Sequence, residues 1–463
     1  MKSPVLPALA LVLAAALPAA PARAQDAAAL RAVAEAALAA HPEVSARMHA
    51  FQAAADAVDI ARGERGPRLD LSGDVGAERA TYSGGLPDES LRRHGLGLSL
   101  TQVLWDGLGS RHELQRTGHE RLGRYFELID TTEQVALEAV RALYDLQRQR
   151  RLVALAEDSV AQHRLAAEKI ASRVQAGVGR GVDLEQANAR VALAESNLAT
   201  DLANLHDVGA RYLRLIGAPP AAGPATAPAL LDRELPASAA DALREGLARS
   251  PAVQARVEGV RAARAALRTQ SSGLQPRVEL RLRTGVGENY NGLEDRRSDS
   301  AAEILLNWNL FDGGADRARV RQRANLLGQS MDLRDQACQD LRQTLAIAYN
   351  DSARLTGQLA LLERNTLAIE RARDAYRQQF DIGQRSLLDL LNAENEAHTA
   401  RRALTNAEYD RAIAYARVHA GLSQLNARLG IARPVPADEA QGWSAGDDAA
   451  ERCPPQVAGA AGR

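Results

Sequence analysis

Leu104-Trp105-Asp106-Gly107 and Leu310-Phe311-Asp312-Gly313-Gly314 carry the same pattern twice, 206 residues apart. Each stands between a stretch of alternating residues and a long helical pattern, and further pairs flank it on both sides. His41-Pro42-Glu43-Val44 answers to Ser250-Pro251-Ala252-Val253, and Gly66-Pro67-Arg68-Leu69 to Gln275-Pro276-Arg277-Val278. Further on, Gly177 and Asp183 answer to Gly383 and Asp389. The offset is 209 residues early and 206 later, so the second hairpin is three residues shorter. So many matches in the same order identify a tandem duplication. The copies are read as residues 25–216 and 237–430. Gly217–Pro236 between them is rich in Pro, Ala and Gly and reads as a linker with little packed structure.

Within each copy the elements follow one order. A helix of about 35 residues, roughly 28–64 and again 237–271, ends before the proline. A hairpin follows, at about 67–104 and 276–311, and then a very long helix, a glycine-bearing break and another helix. The pattern over 313–382 implies a helix of roughly 105 Å at 1.5 Å per residue, which must pack sideways along its whole length. Leu355, Leu359, Leu362, Thr366, Ile369, Arg373, Tyr376 and Phe380 form its seam at alternating spacings of four and three. Val153, Ala156, Val160, His163, Ala167, Ile170 and Val174 repeat that rhythm in the first copy. A 3.5-residue period is the mark of supercoiled helices, although His163, Thr366 and Arg373 make this seam an imperfect zipper. Ordinary amphipathic bundle helices are the plainer alternative; helix length and duplication favour a coiled-coil barrel.

The hairpins alternate strictly. Leu69, Leu71, Val75 and Ala77 alternate with Asp70, Ser72, Asp74 and Glu78; Val278, Leu280, Leu282 and Val286 alternate with Glu279, Arg281, Arg283 and Gly285. Leu96, Leu98 and Leu100, and later Ile304, Leu306, Trp308 and Leu310, keep the same period. Period two means one oily face and one wet face. A half-buried soluble sheet has this alternation too. The helices, however, offer no obvious further apolar surface to cover a sheet, and the wet face is dense in charge. Strands of about ten residues with polar turns at Ser83–Arg93 and Asn289–Ser300 match transmembrane β-strands. Four strands cannot close around water, and an open edge is intolerable in lipid, so several chains must contribute. Three chains give twelve strands. Trp105, Trp308 and Phe311 fall at strand ends, where membrane-interface aromatics are expected.

The ends and the composition narrow the setting. Residues 1–24 read as an export signal: Lys2, an apolar run from Val5 to Ala20, then the small-x-small site Ala22-Arg23-Ala24. The net charge of −1 becomes −3 when Lys2 and Arg23 are removed, which is no footprint for nucleic acid. No later stretch has the ~18 consecutive apolar residues of a membrane-spanning helix. Cys338 and Cys453 are too few for a disulfide framework. Cys338 is expected as a small packing residue in a helix, Cys453 belongs to the Pro/Gly/Ala-rich tail 431–463, and no bond between them is expected.

Taken together, the Leu-Trp-Asp-Gly and Leu-Phe-Asp-Gly-Gly junctions, Ala176-Gly177 followed by Val182-Asp183-Leu184 and Arg190, and the run from Phe380 to Glu396 resemble the TolC-type outer-membrane efflux and secretion channels. The run Phe380-Asp381-Ile382-Gly383-Gln384-Arg385-Ser386-Leu387-Leu388-Asp389-Leu390-Leu391-Asn392-Ala393-Glu394-Asn395-Glu396 is most similar to outer-membrane components of type I secretion systems. The resemblance covers essentially residues 26–430. It implies an α+β fold: long coiled-coil helices forming a periplasmic α-helical barrel, plus four transmembrane strands per protomer that close a 12-stranded barrel in a homotrimer. It also implies an outer-membrane location, a periplasmic adaptor protein and an inner-membrane ABC or RND-type transporter.

By the same resemblance, two acidic residues on the second-copy tip narrow the tunnel entrance; the matching positions are Asp389 and Asn392, of which only the first is acidic. Glu394 and Glu396 lie nearby with unknown direction. An Arg and a Tyr bond to a first-copy Asp to close the entrance. Arg385 and Asp183 match the ion pair, while Phe380 takes the tyrosine position without its hydroxyl. Read without the resemblance, Ser386 and Asp389 have the spacing of a capping box, and Asp183 could likewise start a helix.

Nothing points to catalysis, a metal or a cofactor: there is no P-loop, no His-Glu-x-x-His, no paired-cysteine motif and no nucleophile elbow. His112 and His119 are two turns apart, the spacing of a solvated helix face. The expectation is a channel-tunnel exporting proteins in a type I system. Small-molecule efflux through the same tunnel, or a soluble periplasmic coiled-coil scaffold, are the alternatives.

Overall fold

The computed structural model describes residues 22–81, 89–290, 294–440 and Cys453; most of the expected export signal, the hairpin tips and most of the tail lie outside the described residues. The elements run α1 (Ala22–Ala40), α2 (Pro42–Gly63), β1 (Arg68–Ala80), β2 (Glu89–Trp105), α3 (Gly109–Gln175) and α4 (Gly181–Ile216). The second half runs α5 (Ala239–Arg249), α6 (Pro251–Ser272), β3 (Arg277–Glu288), β4 (Arg296–Asn307), α7 (Ala315–Asp381) and α8 (Leu387–Gly421). A short α9 (Leu425–Arg428) and a 3-10 turn (Ala437–Ala440) follow. The duplication is thus plain in the element order.

Each helix expected over roughly 28–64 and 237–271 is two helices, broken at His41-Pro42 and Ser250-Pro251. Proline has no N–H to give the preceding turn and pushes the residue before it out of the helical region, so each proline restarts a helix at its first turn. His41 and Ser250 are extended at ψ 119° and 117°, and the side chain of each accepts a backbone N–H of the new helix.

Helices α3 and α7, 67 residues each, are the two beams of the molecule. Helix α4 lies along α3 and α8 along α7, while α3 also packs on α2, α6 and α8 and so joins the two copies. The expected seams hold. Val153, Ala156, Val160, His163 and Ile170 are buried on α3, as are Leu355, Leu359, Thr366 and Phe380 on α7. His163 is satisfied through its Nδ1, 2.8 Å from the Ser159 carbonyl, and Thr366 donates to the Ala400 carbonyl. The principal core lies at mid-height, where Leu122, Tyr125, Phe126, Leu128 and Ile129 of α3 meet α1, α2 and α4.

Between the copies, 217–236 has no helix or strand but is not loose. Tyr144 and Tyr409 donate to the carbonyls of Ala229 and Thr226, and His419 Nε2 lies 2.8 Å from that of Leu231. Ala229 and Leu231 pack against the cluster of Leu30, Val140, Tyr144 and Tyr409. Backbone groups with no regular partner were satisfied by side chains on α3 and α8, a signal no linker composition carries.

The tail departs from expectation in the same way. Val435 enters the principal core, Glu439 pairs with Arg121 at 2.6 Å, and Cys453 is bonded to Cys338. This disulfide is the clearest correction to the sequence reading. Cys338 is completely buried beside Val253 and Val257, and the returning tail brings Cys453 to a Cα–Cα distance of 5.8 Å.

The strands form one antiparallel sheet in the order β1-β2-β3-β4. The two hairpins join through β2 and β3, where Leu96 faces Val286 and Leu100 faces Leu282, with one irregularity between Val103 and Trp105. Strand β4 ends at Asn307, so the alternation through Leu310 outruns the pairing. Among the described residues, strands β1 and β4 each have one unpaired edge.

Candidate channel surfaces

Register sorts the sheet into two faces. In successive rows Leu69, Leu100, Leu282 and Ala302 lie side by side, then Leu71, Leu98, Thr284 and Ser300. This face is bare. Leu71 is 76% exposed, Val75 87% and Ile304 72%, and among the described residues no helix makes more than marginal contact with the sheet. A soluble half-buried sheet would have a layer over those side chains, because an exposed apolar face of this size is costly in water. The other face carries Asp70, Ser72, Asp74, Ser99, Thr101, Arg281, Arg283 and Glu303, with Arg283 and Glu303 paired at 3.3 Å. Trp105, Trp308 and Phe311 gather where the strands meet the helices, all of them exposed. Trp308 Nε1 donates to the Leu274 carbonyl at 3.2 Å, which fixes its ring at that rim.

At the same rim the repeated aspartates have a structural task. Asp106 accepts the Ser110 amide at 2.7 Å, and Asp312 accepts those of Gly314 and Asp316 at 3.0 and 2.7 Å. Each therefore caps the start of a 67-residue helix. Partial burial of Asp312 opposes ionisation, but the amides and Arg319 outweigh it and hold its carboxyl below the usual range.

At the far end of the helices, Gly177 (φ +73°) and Gly383 (φ +80°) close α3 and α7 in the left-handed region. The amides of Val178 and Gln384 then reach back to the carbonyls of Arg173 and Gln379. An L side chain is strained at such a φ, which explains why glycine recurs at both tips.

Helix α8 starts at a capping box: Ser386 accepts the Asp389 amide while the Asp389 carboxylate accepts from the Ser386 amide and hydroxyl. Helix α4 has Arg180 at the equivalent place and no side-chain cap, and among the described residues Asp183 has no side-chain hydrogen-bond or ion-pair partner within its own protomer. Arg385 sits 3.8 Å from Asp389, donates to Gln379 and lies 4.9 Å above the Tyr376 ring. Arg385 and Asp183 are therefore not brought together within one protomer. Phe380 is buried with Ile170, Leu387 and Leu391 beneath the Arg173 guanidinium, which lies 4.7 Å from its ring.

The two glutamates left open by the sequence point opposite ways. Glu394 is buried and paired with Arg377 and Arg373. Asn392 and Glu396 are exposed, and with Asp389 they fall on one face of α8 at spacings of three and four. Nothing short of the helix's orientation could have separated the glutamates, since they stand two residues apart.

The sequence pattern described as "Outer membrane efflux protein" matches residues 33–218 and 242–423, one stretch in each copy. The chain belongs to this family. It is 26% identical over 338 residues to the outer membrane efflux protein BepC of Brucella suis, covering 73% of this chain and 74% of BepC. The alkaline protease secretion protein AprF of Pseudomonas aeruginosa is 29% identical over 175 residues, 37% of this chain and 36% of AprF. The Campylobacter jejuni CmeC outer membrane channel superposes with a TM-score of 0.76 at 14% identity over 90% of each chain, a likeness of fold. These outer-membrane channels share the long helices and few strands seen here. Relatives of this kind are channel proteins rather than enzymes.

Proposed function

We propose that three copies of this chain close a 12-stranded barrel in the outer membrane and extend a helical tunnel into the periplasm. The observation that carries this reading is the uncovered apolar sheet face with an unpaired edge on either side. In lipid the face is solvated, and pairing β1 of one copy with β4 of the next removes every edge. The outward stripe of α7 supports the same assembly. Leu326, Leu333, Ile347 and Leu361 are 39–58% exposed at multiples of seven residues, the spacing for a neighbouring helix. The periplasmic adaptor and the inner-membrane ABC or RND-type transporter dock at the helix tips. In the trimer Asp389 and Asn392 form the pore constriction, and Asp183 is free to meet Arg385 of a neighbouring copy, with Phe380 packing behind it.

The substrates we assign are proteins in a type I secretion system, on the strength of the 380–396 run and the likeness to a secretion protein, AprF. Small-molecule efflux is the second reading, favoured by the likeness to BepC. Deleting the chain from its host separates them. Loss of one or a few large proteins from the medium with unchanged drug susceptibility supports secretion. Sensitisation to small toxic compounds with an intact secretome supports efflux. Release of the chain from outer membranes by carbonate or high salt rejects the barrel and leaves the soluble periplasmic scaffold.

A further inference from the structure

Where β3 ends, Asn289 adopts a left-handed conformation (φ +62°), and its side chain donates to the Arg92 carbonyl. This turn sends the next residue, Tyr290, back across the polar face of the sheet. The ring crosses Gly287 of β3 and Gly95 of β2, which are register partners, and its hydroxyl donates to Asp74 of β1 at 2.6 Å. Asp74 is itself the partner of Gly95, so one row of the sheet is spanned by one side chain. The row is built to admit it. A methyl group on Gly95 would overlap the tyrosine hydroxyl, and one on Gly287 would come within 2.5 Å of Cε2. Arg93 lies over the ring at 5.6 Å from its centroid, held by Glu78 at 3.3 Å and Asp74 at 3.7 Å. Charge, aromatic ring and carboxylate thus fix a bulky group on the wet face near the hairpin ends, although a ring of this size is more often turned away from water.

We propose that Tyr290 is a shelf that narrows the outer mouth of the channel and sets the size of solute that enters the barrel from outside. The proposal rests on the assignment of the polar face to the lumen. Three copies place three such rings around the mouth, each braced by Asp74 and Arg93 of its own protomer. The brace matters because an unpinned tyrosine ring would rotate off the two glycines and leave the mouth open.

Ser99 offers a reporter. It faces the same side as Asp74 and lies four residues deeper along β2 than Gly95, about 13 Å at the rise of a strand. Ser99→Cys is labelled in intact cells with a small and with a bulky membrane-impermeant thiol reagent; the native cysteines are held in their disulfide. The expected result is slow labelling by the bulky reagent, at least threefold faster (roughly 0.6 kcal/mol or more of barrier) with Tyr290→Ala and with Asp74→Ala. The small reagent reacts at the same rate in all three. Equal bulky-reagent rates with labelling by the small reagent intact overturn the shelf and leave the channel standing. Failure of both reagents to reach Ser99→Cys overturns the shelf together with the luminal assignment.

Discussion

Glu133 sits in the middle of α3 with its carboxylate against the start of α9, accepting the Leu425 amide at 3.0 Å and the Asn426 amide at 3.4 Å. Burial pushes its pKa up from 4.5 to about 7, while those two amides pull the other way. The folded chain thus keeps a proton that the unfolded chain has already lost. Its contribution to stability is greatest below about pH 4.5 and declines as pH rises towards about 7, by on the order of 3 kcal/mol at most. Thermal midpoints measured across this range should show Glu133→Gln gaining on the wild type as pH rises. A parallel pair of curves would mean the carboxyl is ionised throughout. Asp130, raised to about 6 chiefly by burial, contributes a slope of its own that the variant keeps. At the tip, the line of half-buried Asp389 with exposed Asn392 and Glu396 leads to a different expectation for the open channel. Asp389 is partly neutralised by Arg385 and the Ser386 cap, so Glu396 should carry as much of the cation preference as Asp389 does. Reversal potentials in a salt gradient test this: Asp389→Asn and Glu396→Gln should each lower selectivity and together abolish most of it. An unchanged reversal potential in the double variant rejects the ring.

Among the elements, the returning tail is the one whose attachment is chemical. The Cys338–Cys453 bond closes a separation of 115 residues and binds the tail to α7 beside α6. Chain-entropy arguments give such a closure typically 2–4 kcal/mol. Cys453→Ser should lower the thermal midpoint and expose the tail to protease, with intact mass of the untreated wild type showing no free thiol. Two free thiols in protein from an oxidising compartment would contradict the bond. The sheet and the long helices are different in kind, because their patterns repeat over tens of residues. The seams of α3 and α7 were readable from spacing alone, since a 3.5-residue period has one way to be buried. The breaks at Pro42 and Pro251 were equally visible as residues. Their effect was missed because an amphipathic pattern continues across them, and only the extended His41 and Ser250 interrupt it.

For the whole molecule, assembly is the property that a single chain implies without containing. The stripe of Leu326, Leu333, Ile347 and Leu361 is exposed in the protomer and covered in the proposed trimer. Leu361→Asp should therefore leave the helix content of the protomer unchanged and shift the detergent-solubilised protein from trimer towards monomer by light scattering. A variant that stays fully trimeric would place the neighbour on another face of α7. The inter-copy clamp tells the same story inside one chain. Asp201 of α4 is buried, accepts Gln149 of α3 at 3.3 Å and pairs with Arg402 of α8, so one ion pair and one amide hydrogen bond from three helices tie the two copies.

The sequence by itself determined the duplication, the long seams, the two-faced strands and the family, because each is periodic or repeated and so is written many times over. Tertiary structure decided what depends on direction and distance. Asp389 is tied into a cap with Ser386; Glu394 turns inward and Glu396 outward; Tyr290 lies down across two glycines; Cys453 comes home to Cys338. Leu-Trp-Asp-Gly and Leu-Phe-Asp-Gly-Gly belong to both accounts. As repeated words they revealed the fold, and as folded residues their aspartates cap the two long helices, since unpaired amides at a helix start need an acceptor that only the turn can aim.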